Sequence, residues 1–267
     1  MLFDKRKKTS YNMKELRKLV AGFFILLLMS QQSFGAEWKI IKGEKLTYKI
    51  AFSSGLTGNV KGGEATMSVK SSTVKVGNND AYLATLHGAT TGVIEWFYQV
   101  ENMYETYIDL NSGAPLMYRQ AVRENKYKSA DTVFFDQKKN VATYRKKQTV
   151  IPDNTHDFVS MIYYVRSLDV SKMKKGDSVT IPFFTSDKVI LSKVVFNGIE
   201  QIRVHNKQVS CYAFKPQVGK GKVFNQDYPA TIWISTDSKR LPMLQAGSRT
   251  LLLRSCRPPT PVPTPMH

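Results

Sequence analysis

Alternation of apolar and polar residues runs through most of this 267-residue chain and constrains its fold more than any other feature. At 46–52 and again at 179–184, every second residue is apolar over a full strand length. Because successive side chains of a strand point to opposite faces, this pattern predicts half-buried strands. Similar segments predict further strands at 57–70, 79–89, 99–109, 115–124, 130–136, 140–147, 188–196, 199–205, 208–216, 229–235 and 241–246.

Turn sequences separate these strands at the spacing of an antiparallel β protein. Asn111-Ser112-Gly113 and Asn197-Gly198 are typical of hairpin turns. Gly62-Gly63 falls inside a predicted strand and indicates a bulge there. About a dozen strands at this spacing predict a mainly β fold, either a curved antiparallel sheet or an open β-barrel.

Residues 155–168 have the periodicity of a helix instead. Their apolar side chains recur at helical spacing, at Phe158, Met161, Ile162, Val165 and Leu168. We expect this stripe to pack on a sheet, with an opposite face made of Ser160, Tyr163 and Ser167. Residues suited to cap the helix start are Asp153, Asn154 and Thr155. The helix would join two β halves, at about 37–150 and 170–246, within a single β domain at 36–246.

The first 35 residues predict an export signal. Basic residues at 14–18 precede an apolar run at 19–29, and small residues end the segment at Gly35. The run is far shorter than the roughly 20 residues that a membrane-spanning helix needs. We therefore expect cleavage after Gly35 and a location in the periplasm or cell envelope, close to the membrane without spanning it.

The two ends of the chain carry further expectations. Translation starts at Met1 or at Met13, which directly precedes the basic segment. Five of the last ten residues are proline, which cannot donate to a β ladder. We expect residues 247–267 to form a proline-rich, disordered or loosely attached tail.

The full chain has a net charge of +18, of which +13 remains after removal of residues 1–35 with their seven Lys/Arg and two Asp/Glu. A strongly basic exported protein is expected to contact anionic components of the envelope, such as lipid head groups or acidic polysaccharide. The lysines occur as short clusters beside turns, for example at 172–175, where they discourage aggregation between sheets. Such clusters do not form a nucleic-acid-binding motif, and we expect no specific nucleic-acid partner.

Candidate catalytic residues are few. His156 and Asp157 are helix neighbours that point about 100° apart, whereas His156 and Ser160 share a face. No G-x-S-x-G motif accompanies this pair. Glu101 and Glu105 lie on one strand face about 13 Å apart, which is too far for a glycosidase pair. We predict no enzymatic activity, no catalytic residue and no cofactor.

Two cysteines and four scattered histidines offer little for a metal site, and none is predicted. Cys211 shares a strand face with Val209 and Ala213, which is typical of a small buried hydrophobic residue. The sequence is compatible with a disulfide between Cys211 and Cys256 and does not decide whether it forms.

Aromatic side chains cluster near the predicted helix and near residue 96, and core packing is the general explanation for them. A ligand of this chain would be apolar or amphipathic and held between the helix and a concave sheet. Candidate contacts are Trp96, Tyr163 and Tyr164. Arg166 lies near the predicted helix end, where it would meet the last carbonyls or an anionic head group.

Four segments in a fixed order resemble a family of exported bacterial proteins, domain of unknown function 3108. They are GEKLTYKIAFSSGLTGNVKGGEATMSV, TTGVIEWFYQVENMYETYID, DFVSMIYYVRSLD, and CYAFKP followed by TIWIS-x5-LP. The resemblance covers residues 37–246 and implies an exported, mainly antiparallel β protein without an established activity. Family members continue into further β structure where this chain becomes proline-rich, which implies a truncated or frame-shifted reading there. A looser likeness is to periplasmic lipoprotein carriers, whose open half-barrels hold acyl chains under helical lids.

These features favour a non-enzymatic protein that binds a lipid, lipoprotein or other envelope component. A structural or assembly factor that contacts envelope protein or polysaccharide is the alternative, and an envelope hydrolase is the least favoured class. A continuous apolar cavity under the helix would support the first, a solid core with an exposed edge strand the second, and a cleft with convergent carboxylates the third. The oligomeric state is left open.

Overall fold

The computed structural model describes residues 38–54, 58–185, 187–204, 207–217, 230–246 and 254–256. The predicted export signal lies outside the described residues. Most of the described residues form strands, which are arranged in two antiparallel sheets. This arrangement confirms the predicted mainly β fold class. In the described part of the chain, no helix has both the length and the apolar character needed to cross a membrane.

Ten strands form the larger sheet. They are β1 (Lys45–Ser54), β2 (Gly58–Val69), β3 (Val74–Val76), β4 (Asn79–Thr90), β5 (Val100–Asp109), β6 (Pro115–Glu124), β7 (Tyr127–Asp136), β8 (Val141–Tyr144), β9 (Lys147–Val150) and β15 (Arg254–Cys256). Their order across the sheet is β15-β1-β2-β4-β5-β6-β7-β8-β9, with β3 paired to β4. The first and last strands in the chain are therefore neighbours.

Five strands form the smaller sheet and pair in chain order. They are β10 (Ser178–Thr185), β11 (Lys188–Val204), β12 (Lys207–Pro216), β13 (Ala230–Ser235) and β14 (Pro242–Ala246). A short helix, α1 (Val93–Phe97), connects β4 to β5. A longer helix, α2 (Phe158–Ser167), lies in sequence between the strands of the two sheets. Helix α2 is the predicted amphipathic helix, whereas α1 was not predicted.

Helix α2 is covered by both sheets. Val159 and Tyr163 belong to a core cluster with residues of the larger sheet, including Ile108. Val165 belongs to a second cluster with residues of the smaller sheet, including Phe214. Because both faces of α2 are buried, the helical spacing of its apolar residues does not by itself identify which side chains are buried.

The predicted buried stripe of α2 is therefore wrong in part. Phe158, which was assigned to this stripe, is 38% exposed, and Ile162 is half-buried. Tyr163 and Ser167, placed on the opposite face, are buried. A helix between two layers buries polar residues as well, provided that they find hydrogen-bond partners.

The predicted bulge at Gly62-Gly63 is confirmed. The register between β1 and β2 shifts between Ile50 and Ala51, so that the partner strand holds one extra residue. A Cβ atom on Gly63 would lie 2.5 Å from the carbonyl oxygen of Ala89. Any residue larger than glycine would push β2 away from β4 at this point.

The predicted strand at 140–147 is instead a hairpin of β8 and β9. Its turn residues, Arg145 and Lys146, have positive φ angles of 45° and 65°. These values lie in the left-handed region, which turn sequences usually mark with Gly or Asn. The turn was missed because neither residue carries that signal.

Conversely, the predicted strands at 188–196 and 199–205 form one strand, β11. Asn197 and Gly198 do not form a hairpin turn. The register of β11 against β12 shifts between Phe196 and Ile199, so the pair lies within a bulge.

Residues 254–256 correct the prediction for the tail. They form β15 and pair with β1, with Cys256 opposite Thr47. A β ladder uses backbone groups, so three residues before the proline run can pair without an alternating apolar face. The other residues of 247–267 lie outside the described residues.

Candidate functional site

A buried carboxylate holds the start of α2. Asp157 Oδ1 accepts hydrogen bonds from the backbone N–H groups of Val159 (2.8 Å) and Ser160 (3.0 Å). Its Oδ2 accepts from the hydroxyls of Thr106 in β5 (2.7 Å) and Ser160 (2.9 Å). Burial raises the pKa of Asp157, and these hydrogen bonds act in the opposite direction. Asp157 is the N-cap because it directly precedes the first helical residue, which corrects the predicted caps Asp153, Asn154 and Thr155.

His156 is enclosed by aromatic rings. Its ring centroid lies 4.7 Å from that of Tyr164 and 6.4 Å from that of Trp38. Nδ1 lies 3.2 Å from Ser160 Oγ, and Nε2 has no hydrogen-bond partner among the described residues. Burial lowers the pKa of His156 to about 3, so the ring is neutral at pH 7.

The contact between His156 and Ser160 does not form an accessible nucleophile. Both side chains and that of Asp157 are buried. The backbone of His156 also donates to Pro182 O (2.8 Å) and accepts from Phe184 N–H (2.9 Å) in β10. The cluster therefore joins α2 to both sheets, and its geometry is that of a structural connection.

A second buried connection lies at the other end of α2. The Arg166 side chain is completely buried and donates from both terminal nitrogens to the carboxylate of Glu44, with Nη2–Oε1 at 2.8 Å. Nη2 also donates to the carbonyl oxygen of Lys239 (2.7 Å). Arg166 thus links the segment before β1, helix α2 and the turn between β13 and β14.

The four predicted ligand contacts do not form one site. Tyr163 and Arg166 are buried in the core, and Tyr164 packs against His156. Trp96 lies on α1 with 84% of its surface exposed. None of these four residues belongs to the wall of either of the two clefts on the larger sheet. Arg166 is completely buried and has an internal carboxylate partner in Glu44, so it does not offer its charge to a head group.

The larger cleft has a volume of about 500 Å³ and lies between β6–β8 and the turn of β10 and β11. Six aromatic side chains contribute to its wall: Tyr118, Tyr127, Tyr144, Phe158, Phe183 and Phe184. Gln120, Ser129 and Asp131 add a polar strip along β6 and β7. This combination suits a ligand with both apolar and polar parts.

Two ion pairs lie at the rim of the larger cleft. Arg145 Nε donates to Asp131 Oδ1 (2.7 Å), and Lys147 Nζ donates to Asp187 Oδ2 (3.1 Å). Partial burial tends to raise the pKa of Asp131, but hydrogen bonds from Arg145 and from its neighbours outweigh this and lower it. Asp131 is therefore ionised at pH 7. The two ion pairs place charges of both signs at the rim, and its net charge is close to zero.

The smaller cleft has a volume of about 260 Å³ and an almost entirely apolar wall. Its wall residues include Ile50, Ala65, Leu86, Val100 and Tyr104. Gly88 forms part of its floor, and a Cβ atom added there would meet no atom within 4 Å. The absence of a side chain at this position therefore leaves space that a larger residue would fill.

Both clefts lie on the same face of the larger sheet. Tyr104 of β5 pairs with Gln120 of β6, and directly opposed residues share a face. The edge of the Tyr104 ring contacts the Phe158 ring with centroids 5.6 Å apart. Because Tyr104 lines the smaller cleft and Phe158 the larger, this ring pair separates them. Helix α2 covers the same face, since Asp157 bonds to Thr106.

The predicted carboxylate pair does not face a cleft. Glu101 and Glu105 alternate with the cleft-facing residues of β5 and are paired with Arg123 (3.3 Å) and Arg119 (3.4 Å) of β6. Among the described residues, no group of three or more His, Cys, Asp or Glu side chains is arranged to hold a metal.

Cys211 is a buried free thiol. Burial raises its pKa to about 12, which keeps it protonated and unreactive at pH 7. This environment agrees with its interpretation as a small hydrophobic residue.

Sequence reasoning missed the cleft residues. Gly63 and Ala65 of β2 and Gly88 of β4 are small residues that share one face of the sheet, a pattern that removes side-chain volume from a core. That pattern is visible in the sequence once the strand register is known. The contribution of Phe158 was missed because it was assigned to the packed face of the helix.

Known proteins resemble this chain at the level of family and fold. A family model described as "Protein of unknown function (DUF3108)" matches residues 47–251. The solved structure of a β-barrel-like protein of domain of unknown function DUF1849 from Brucella abortus matches with a TM-score of 0.52 and 10% sequence identity. The match covers 82% of this chain and 98% of that one. No curated protein matches the chain.

Proposed function

The chain belongs to the DUF3108 family of proteins of unknown function, and we propose that it is a non-enzymatic envelope protein that binds the apolar part of a lipid. The binding site is the inner face of the larger sheet beside α2. The acyl chain occupies the smaller cleft, and the polar part of the lipid lies toward the larger one.

The apolar wall of the smaller cleft carries this proposal. Leu86, Val100 and Tyr104 offer an acyl chain a surface from which water is readily displaced. Gly88 has no side chain and therefore leaves the floor of the smaller cleft open. The cleft is slightly smaller than typical sites for drug-sized ligands, which matches one segment of an acyl chain rather than a whole lipid.

The larger cleft supports the amphipathic character of the ligand. Phe183 and Tyr144 continue the apolar surface beyond the ring pair of Tyr104 and Phe158. Gln120 and Ser129 provide hydrogen-bonding groups for the polar part. The paired charges of the rim favour a polar or zwitterionic group over a strongly charged one.

Replacing Gly88 with phenylalanine should fill the smaller cleft without displacing the backbone. We expect fluorescently labelled palmitate to bind the Gly88→Phe variant about tenfold more weakly than the wild type, because the apolar surface is already covered. His87→Phe is the matched control, since His87 neighbours Gly88 in β4 and faces the other side of the sheet. Fluorescence titration of the three proteins, with thermal unfolding as a folding check, makes the comparison.

Equal affinity of the wild type and the folded Gly88→Phe variant would place the ligand elsewhere. No binding of palmitate by the wild type, with no lipid retained in native mass spectra of gently purified protein, would contradict lipid binding itself. That result would favour the alternative of an assembly factor that contacts envelope protein or polysaccharide.

The sequence of the leader supports a location in the periplasm or cell envelope. We expect the exported protein to begin at Ala36, because the small residues that end the leader suit signal peptidase. The intact mass of the protein recovered from the envelope tests this. A mass that includes residues 14–35 would mean that the leader is retained as an anchor.

A further inference from the structure

An exposed apolar surface lies at one end of the larger sheet. Trp96 and Phe97 of α1 are 84% and 79% exposed, and Val93 is also exposed. At helical spacing these three side chains share one face, while Glu95 points away from it. None of the five residues of α1 is buried, so the helix turns its apolar face to solvent.

The turn between β6 and β7 extends this surface. The backbone N–H of Gln99 donates to Asn125 Oδ1, and the N–H of Asn125 donates to Gln99 O, both at 2.8 Å. These bonds hold the segment after α1 against the turn. Tyr127, which begins β7, is 61% exposed.

Two lysines flank the aromatic residue next to the turn. Lys126 and Lys128 lie on either side of Tyr127 and are exposed. Neither makes an ion pair within the described part of the chain. Of the nearby acidic residues, Glu101 forms an ion pair with Arg123, whereas Glu124 accepts a hydrogen bond from the neutral Asn102 side chain and keeps its charge. The surface therefore combines exposed Trp, Phe and Tyr side chains with two exposed lysines.

We propose that α1 and the β6–β7 turn dock onto the surface of an anionic lipid bilayer. Trp and Tyr side chains are favoured at the level of the head groups, where one end of the ring is apolar and the other is hydrated. Lysines beside them attract anionic lipids. The net charge of +13 that remains without residues 1–35 adds a longer-range attraction of the same sign. This inference goes beyond lipid binding in the clefts, because docking requires no occupant there.

Binding to vesicles tests the docking surface. The probes are vesicles of phosphatidylethanolamine with phosphatidylglycerol and vesicles of phosphatidylcholine alone. We expect the wild type to bind the anionic vesicles at least about tenfold more tightly, with a loss of affinity as salt increases. The fluorescence of Trp96 should shift to the blue on binding, as its ring leaves water.

Two variants separate the apolar and electrostatic contributions. Trp96→Ser with Phe97→Ser should lower vesicle affinity by about tenfold or more at all salt concentrations. Lys126→Gln with Lys128→Gln should lower it by about tenfold at low salt and remove much of the salt dependence. All of these side chains are exposed, so both variants should fold.

Matched controls change equivalent side chains elsewhere. Val150→Ser alters an exposed apolar residue of β9, and Lys138→Gln with Lys139→Gln removes two lysines near the other end of β7. We expect both controls to bind vesicles like the wild type. Equal losses in variants and controls, or no vesicle binding by the wild type, would overturn the proposal. A dimer in light scattering that only Trp96→Ser with Phe97→Ser dissociates would also overturn it, because the surface would then bind a second copy of the chain.

Discussion

Replacing Glu44 with leucine should lower the free energy of unfolding by about 3–5 kcal/mol, because it leaves the buried guanidinium of Arg166 without its carboxylate. The remaining partner, the carbonyl oxygen of Lys239, cannot compensate a full charge. Urea-induced unfolding, followed by circular dichroism, measures the loss.

The double variant Glu44→Leu with Arg166→Met is the informative control. It removes both charges and fills the space with apolar side chains, so it should be more stable than Glu44→Leu alone. A single variant that loses less than about 1 kcal/mol would show that water reaches Arg166 in solution.

Lowering the pH from 6.5 to 4.5 should destabilise the wild type by about 2–3 kcal/mol relative to His156→Phe. The pKa of His156 is lowered from 6.5 to about 3 in the folded protein, because its ring is buried. Between these values the unfolded chain binds a proton that the folded chain excludes. Stability must therefore fall as the pH decreases through this range.

Phenylalanine is the suitable replacement because it keeps a ring against Trp38 and Tyr164 and does not titrate. The raised pKa of Asp157 has the opposite sign: its contribution is present at low pH and is lost as the pH rises through the folded-state value. Both proteins contain Asp157, so the difference between their stability curves isolates His156. Parallel curves would mean that the ring is accessible to protons in the folded state.

The strands were predictable because their signal is local. Alternation identified the strands of both sheets except β3, β9 and β15. Gly62-Gly63 identified the bulge because only glycine tolerates the close approach of Ala89. The hairpin at Arg145 and Lys146 escaped because its left-handed turn lacks the usual Gly or Asn. The bulge was predicted because its backbone geometry requires glycine, and the turn was missed because its residues are not the ones that usually mark this geometry.

The candidate site was less predictable because it depends on contacts between distant residues. Arg166 was expected near the end of a helix, and it is there, but Glu44 lies 122 residues away in sequence. Helix periodicity does not reveal that two sheets cover α2, so Phe158 was assigned to the core rather than to a cleft. The open space over Gly88 likewise depends on which neighbouring strands surround it.

The adjacency of β1 and β15 has a consequence for the rate of folding. Hydrogen bonds join residues 122 and 194 positions apart, from Glu44 to Arg166 and from Tyr48 to Pro242. Contacts between distant residues slow folding, because long loops must close before the contacts form. The larger sheet gains its last strand only after almost the entire chain has been synthesised. We therefore expect slow folding, which would suit the proposed export because the chain would stay unfolded until β1 and β15 pair.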